Sequence, residues 1–167
     1  MNESDTKRLR ATAFHEAGHA VMALLLGRPI EKVTISPAQL KSGGTRLGAC
    51  KIQKGRTKPS KDEVEDSALI LLAGMVAESF VTGQYNQAGA AQDLQMMKSI
   101  LTANRARDEK RFQKIAKRMV DKTEHLLGQP FARQAVRQIA AQLIEHETIS
   151  GRAARHLLDV ARKQAEE

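Results

Sequence analysis

The sequence predicts a mainly α-helical domain with a small antiparallel sheet of two or three strands. Apolar residues recur at three- and four-residue spacing along most of the chain. Capping residues and Gly or Pro stops punctuate that pattern. Only two short stretches alternate as strands do. The 167 residues suit one domain, 1–167, with no internal repeat or linker. Residues 1–106 contain the helix with the chemical motif described below and the strand pair. Residues 107–167 read as helices alone.

Leu9, Ala13, Ala17, Ala20 and Leu24 share one face of a first helix over Thr6–Leu26. Ser4 or Asp5 is the expected cap, and Gly27 and Pro29 the stop. Ile30–Ser36 alternates β-branched residues and ends at Pro37; Arg46–Gln53 is a second strand weakened by Gly48, and the two can pair as a hairpin. Lys54–Ser60 is a basic loop. Ser60, with Glu63 at capping-box spacing, opens a helix that closes at Gly83. A third helix covers Ala90–Ala106, with Met96 and Met97 as core filler. Asp108 opens a fourth, stopped by Gly128 and Pro130; Phe131–Glu147 is a fifth, and a last one starts near Ser150.

Composition excludes several classes. The polar N-terminus does not read as a secretory signal, and no apolar run approaches a membrane span. One cysteine, Cys50, rules out an internal disulfide framework and suits a cytoplasmic setting. A formal net charge of +8 comes largely from Lys41–Lys61 and Arg105–Lys122. Aromatics make up 3% of the chain, too few for a base-stacking surface, so solvated helix faces explain the charge and no nucleic acid is expected. No phosphate-binding loop is present.

The chemistry lies in the first helix, in His15-Glu16-Ala17-Gly18-His19. Residues four apart lie one above the other on a helix, so His15 and His19 can each offer a ring nitrogen to one ion. Glu16 lies one step round, within reach of a water on that ion. This is the zinc-hydrolase pattern, H-E-x-x-H, and two imidazoles leave room for a third ligand and a water. The competing reading is two surface histidines on an amphipathic helix. Gly18 in mid-helix costs about 1 kcal/mol relative to Ala, which implies close packing against that face.

A third ligand must come from a later element. His125, His146 and His156 lie late and read as surface or boundary residues. Glu78, ending the second helix, and Asp93, in the first turn of the third, are better placed. Spacing leaves both open, and the small residues before Asp93 favour it slightly. Each also has a structural role available: Asp93 as a partner of the helix dipole, Glu78 as an acid orienting a histidine.

His15–Val21, Leu72–Glu78 and Gly89–Leu94 occur in the order found in the peptidase domain of FtsH-type ATP-dependent zinc proteases. Val33–Pro37 and Leu47–Ala49 resemble that domain's short strands, and Leu143–Gly151 its closing helices. The resemblance implies a helical zinc peptidase, with one Zn²⁺ held by His15, His19 and Asp93 and with Glu16 as general base. It implies too that an edge strand near Leu47–Ile52 pairs with extended substrate. Met75 and Ser79 depart from the pattern, which usually has Arg and a second acid there. No ATPase module or membrane segment is read in these residues, so energy-driven unfolding and threading do not carry over, and ring assembly stays open. The expected partners are therefore unfolded polypeptide and a separate ATPase; a homo-oligomer stays open. The alternative is a zinc-binding but proteolytically silent regulatory domain, against which the intact Glu16 counts.

Overall fold

A computed structural model describes residues 1–39, 41, 43–55 and 60–167. Residues 56–59, most of the expected basic loop, lie outside it. Among the described residues the elements run α1 (Glu3–Leu25), β1 (Ile30–Thr34), β2 (Ala38–Gln39), β3 (Thr45–Arg46), β4 (Ala49–Ile52) and α2 (Glu63–Thr82). There follow α3 (Ala91–Asn104), α4 (Glu109–Gly128), α5 (Pro130–His146), β5 (Thr148–Ser150) and α6 (Gly151–Glu166). The mainly α expectation with a small antiparallel sheet is borne out.

Local chemistry accounts for most boundaries. Asn2 caps α1, its side-chain oxygen accepting from Asp5 N–H at 2.8 Å, so the helix begins three residues before the expected start. Asp62, rather than Ser60, caps α2 through Glu65 N–H at 3.0 Å, while the Ser60 hydroxyl donates to the Asp66 carboxylate at 2.6 Å. Asp108 and Ser150 cap α4 and α6 as expected. Gly83 ends α2 with φ +80°.

The sheet order is β4-β1-β5, all antiparallel, with β2 and β3 forming a separate two-stranded ribbon. Val33, fully buried, lies between Cys50 and Ile149. The third strand, β5, falls where the periodicity suggested only the end of one helix and the start of another. Three residues carry no period, and β5 exists because β1 is there to pair with it. Among the described residues β4 therefore keeps one unpaired edge.

Helix α2 is the centre of the molecule. Nearly every residue from Ala68 to Glu78 is buried, as expected of a helix surrounded on all sides. It packs most extensively on α1, then on α4 and α3. The first contact brings small residues together: Gly18 on α1 lies against Ala73 and Ala77 on α2, and Gly74 on α2 against His15 and His19. Met97 is buried, but Met96 is 57% exposed, so only one of that pair fills the core. The basic residues of Arg105–Lys122 lie on exposed surface, several in ion pairs such as Arg105–Asp62 at 3.0 Å, which add little stability.

A Cβ on Gly18 would sit 2.4 Å from the Ala73 carbonyl oxygen and 2.5 Å from the Ala77 Cβ. Gly18→Ala should therefore destabilise, although alanine is the better helix former by about 1 kcal/mol. Overpacking against backbone costs about 1–3 kcal/mol. Thermal melts should fall by about 2–4 °C for each net kcal/mol lost, and an unchanged or raised melting temperature would contradict the packing.

Candidate metal centre

Both histidines project from α1 toward α2 and α3. His19 is buried and His15 half-buried. Their rings lie 4.8 Å apart, centre to centre, and nearly perpendicular. Each ring has its two nitrogens in different surroundings. His19 Nδ1 is 2.7 Å from the Ile70 carbonyl, and His15 Nδ1 is 3.1 Å from Glu78 Oε2. A carbonyl can only accept, so His19 Nδ1 carries the hydrogen. The Glu78 carboxylate demands the same of His15. In the neutral rings the lone pairs are then on Nε2.

Those two Nε2 atoms converge on one oxygen. Asp93 Oδ2 is 3.1 Å from His15 Nε2 and 3.2 Å from His19 Nε2. The three ligand atoms lie within 4.8 Å of one another, and these residues are the one such cluster found among the described residues. Donors about 2 Å from a tetrahedral zinc ion stand about 3.3 Å apart. The donor set, two imidazole nitrogens and a carboxylate oxygen, thus fits zinc in both chemistry and spacing. Asp93 reaches the site because α3 starts immediately before it and packs on α2.

Glycines make the space. A Cβ on Gly74 would lie 2.5 Å from His15 Nε2 and 2.5 Å from His19 Nε2. Only a residue without a side chain leaves room where the lone pairs meet. Gly48 does the same for Glu16: a Cβ there would be 2.8 Å from Glu16 Oε1. Gly48 precedes β4, so the Glu16 carboxylate lies beside the start of that strand. Gly74 and Gly48 were not singled out as part of the site in the sequence. Gly48 read only as a weak point in a strand.

The charges are strongly coupled. Burial alone would lower the His15 pKa, but its bonds to Asp93 and Glu78, with Glu16 nearby, push it up to about 9. Burial would raise Asp93, yet the two imidazoles hold its carboxyl well below the usual carboxylate range. Glu16 is raised, because burial outweighs attraction to His19 and His15. Burial also pushes the Cys50 thiol up, with the Glu16 charge adding to it, so Cys50 is no ready thiolate.

Sequence comparison gives the family. The model of Peptidase family M41 matches residues 2–105, a span that includes His15, Glu16, His19, Gly48, Gly74, Glu78 and Asp93. The chain belongs to peptidase family M41. Similar proteins include the ATP-dependent zinc metalloprotease FtsH of Protochlamydia amoebophila, 37% identical over 95 residues, which is 56% of this chain and 10% of that protein. The FtsH of Lachnoclostridium phytofermentans is 41% identical over 93 residues, 54% of this chain and 16% of that protein. FtsH 1 of a Thermoanaerobacter species is 38% identical over 102 residues, 60% of this chain and 16% of that protein. The chain thus spans 10–16% of the length of these relatives. The family match ends before α4, so the likeness read in Leu143–Gly151 lies outside it. Among the described residues no helix is long and apolar enough to cross a membrane.

The raised His15 pKa has a measurable consequence in the metal-free chain. A charged imidazole held between two carboxylates adds stability that is complete below the unfolded value of 6.5 and is lost as pH rises through about 9. Melting temperature in the presence of chelator should therefore fall between pH 6.5 and 9, and His15→Gln should flatten that slope. An equal slope in the variant would contradict the assignment.

Proposed function

We propose that this domain is a zinc-dependent endopeptidase that hydrolyses peptide bonds in unfolded or extended polypeptides. In this reading His15, His19 and Asp93 hold one Zn²⁺ and Glu16 is the general base. The observation that carries it is the inward convergence of both Nε2 atoms on Asp93 Oδ2, with each Nδ1 occupied by an acceptor. Membership of a peptidase family and relatives named zinc metalloproteases support the same chemistry.

Zinc bound there would polarise the scissile carbonyl and bring the pKa of water to about 7. Glu16 is buried beside the imidazoles, with its pKa raised toward the working range. It takes the proton from the attacking water and delivers it to the departing amine. Glu78 and the Ile70 carbonyl keep the imidazoles in the tautomer with Nε2 facing inward. Substrate recognition falls to the free edge of β4. Backbone pairing there selects extended chain over sequence, and Gly48 brings that edge close to Glu16.

A folded substrate offers no free strand, so opening it is work for an ATPase, in keeping with the ATP dependence in the relatives' names. The cytoplasmic setting expected from the single cysteine belongs to this reading. The intact Glu16 is what argues for catalysis over a silent zinc-binding domain.

The decisive experiment pairs zinc content with hydrolysis of an unstructured polypeptide such as casein, with and without chelator. Glu16→Gln should keep zinc and lose at least about 100-fold in kcat, within the usual range for a general base; full activity would remove Glu16 from that role. Asp93→Ala should weaken zinc binding itself. Gly74→Ala should remain folded, because the far ends of two imidazoles can swing aside, yet lose zinc with them. A tightly folded protein should resist the purified domain, and its digestion without ATPase would overturn the substrate assignment.

A further inference from the structure

The loop between α2 and α3 contains a residue that touches neither histidine nor Asp93 yet is bonded to the supports of both. Asn86 Nδ2 donates to Glu78 Oε1 at 3.2 Å, while the other oxygen of that carboxylate accepts from His15 Nδ1 at 3.1 Å. Asn86 Oδ1 accepts from Gly89 N–H at 3.0 Å, and its backbone carbonyl accepts from Ala90 N–H at 3.1 Å. The orientation of the amide follows from its neighbours: an N–H needs the oxygen and a carboxylate needs the NH₂. A Cβ on Gly89 would fall 2.4 Å from Asn86 Nδ2, so the chain is bare where the amide lies against it.

Among the described residues no side chain caps the start of α3. Ala90 occupies the cap position and offers no side-chain hydrogen bond. Asp93 stands in the first turn of that helix, three residues beyond Ala90. Residues 86–90 lead directly into the helix that delivers Asp93, and the Asn86 bonds to Gly89 and Ala90 N–H hold that lead-in. Glu78, in turn, has one carboxylate oxygen on His15 and the other on Asn86.

We propose that Asn86 is a positioning residue for the metal centre, coupling the carboxylate that orients His15 to the helix start that presents Asp93. Through one amide it sets two of the three ligands relative to each other before any ion arrives. The inference rests on the metal-binding reading above and adds a residue to it. Losing an outer partner of a ligand typically weakens metal affinity 10–100-fold. Asn86 lies at the surface, where water can replace part of each bond, so the low end, about tenfold, is expected.

The test is zinc affinity by competition with a chromophoric chelator, together with the visible spectrum of the cobalt-substituted protein, whose bands report ligand geometry. Asn86→Ala removes both side-chain bonds. Asn86→Asp keeps the size and an acceptor for Gly89 N–H but loses the donor to Glu78, so it separates coupling from simple loop support. Both variants should bind zinc about tenfold more weakly with altered cobalt bands. If Asn86→Ala does not fold, Asn86→Asp decides alone. Wild-type affinity and spectrum in Asn86→Asp would reduce Asn86 to a loop staple and overturn the inference, leaving the metal reading intact. A wild-type chain that binds no zinc would remove both.

Discussion

The distance between α1 and α2 is set by backbone rather than side chains. Gly18 lies against the Ala73 carbonyl, Ala77 is close by, and Gly74 faces the two imidazole tips. A larger residue at Gly18 would push the helices apart, whereas one at Gly74 would displace the imidazole tips. The consequence is chemical as well as mechanical, because Asp93 and Glu78 reach the histidines only from elements seated on or within α2. A widened seam would leave two histidines on α1 with no carboxylate to meet them.

The site is locally acidic inside a basic chain. Glu16, Glu78 and Asp93 surround two imidazoles, although the formal net charge of the whole sequence is +8. Three carboxylates so close would repel strongly in a poorly solvated setting. The raised pKa of His15, won from its carboxylate neighbours against the effect of burial, expresses that demand for positive charge; Glu16 is raised chiefly by burial itself. A divalent cation would answer the same demand without a proton, and its binding would then release one. The acids are not equivalent, however. Glu78 meets the outward nitrogen of His15, Asp93 the inward nitrogens of both rings, and Glu16 neither.

Much of this was legible along the chain. The spacing of His15 and His19 needs only a helix, and Leu9, Ala13, Ala17 and Leu24 supply its apolar pattern; such a constellation is local and survives any uncertainty about packing. Gly18 was legible as a close approach because its cost in a helix demands a reason. The boundary errors were small and had local causes. Asn2 and Asp62 took the capping roles expected of Ser4 or Asp5 and of Ser60, since several capping residues stood within reach of each helix start. Met96 and Met97 could not be told apart by type, only by which side of α3 faces α2.

By itself the sequence determined the two imidazoles, the adjacent acid and the helical class, because each depends on contacts within a few residues. It could not choose between Glu78 and Asp93 from spacing; resemblance to a family was needed for that. What brings Asp93 to both Nε2 atoms is the docking of α3 on α2, 78 residues from His15 along the chain. Likewise β5 exists only against β1, and Gly74 matters only because His15 and His19 point at it. These are products of long-range packing, and no local pattern in the chain encodes which surfaces will meet.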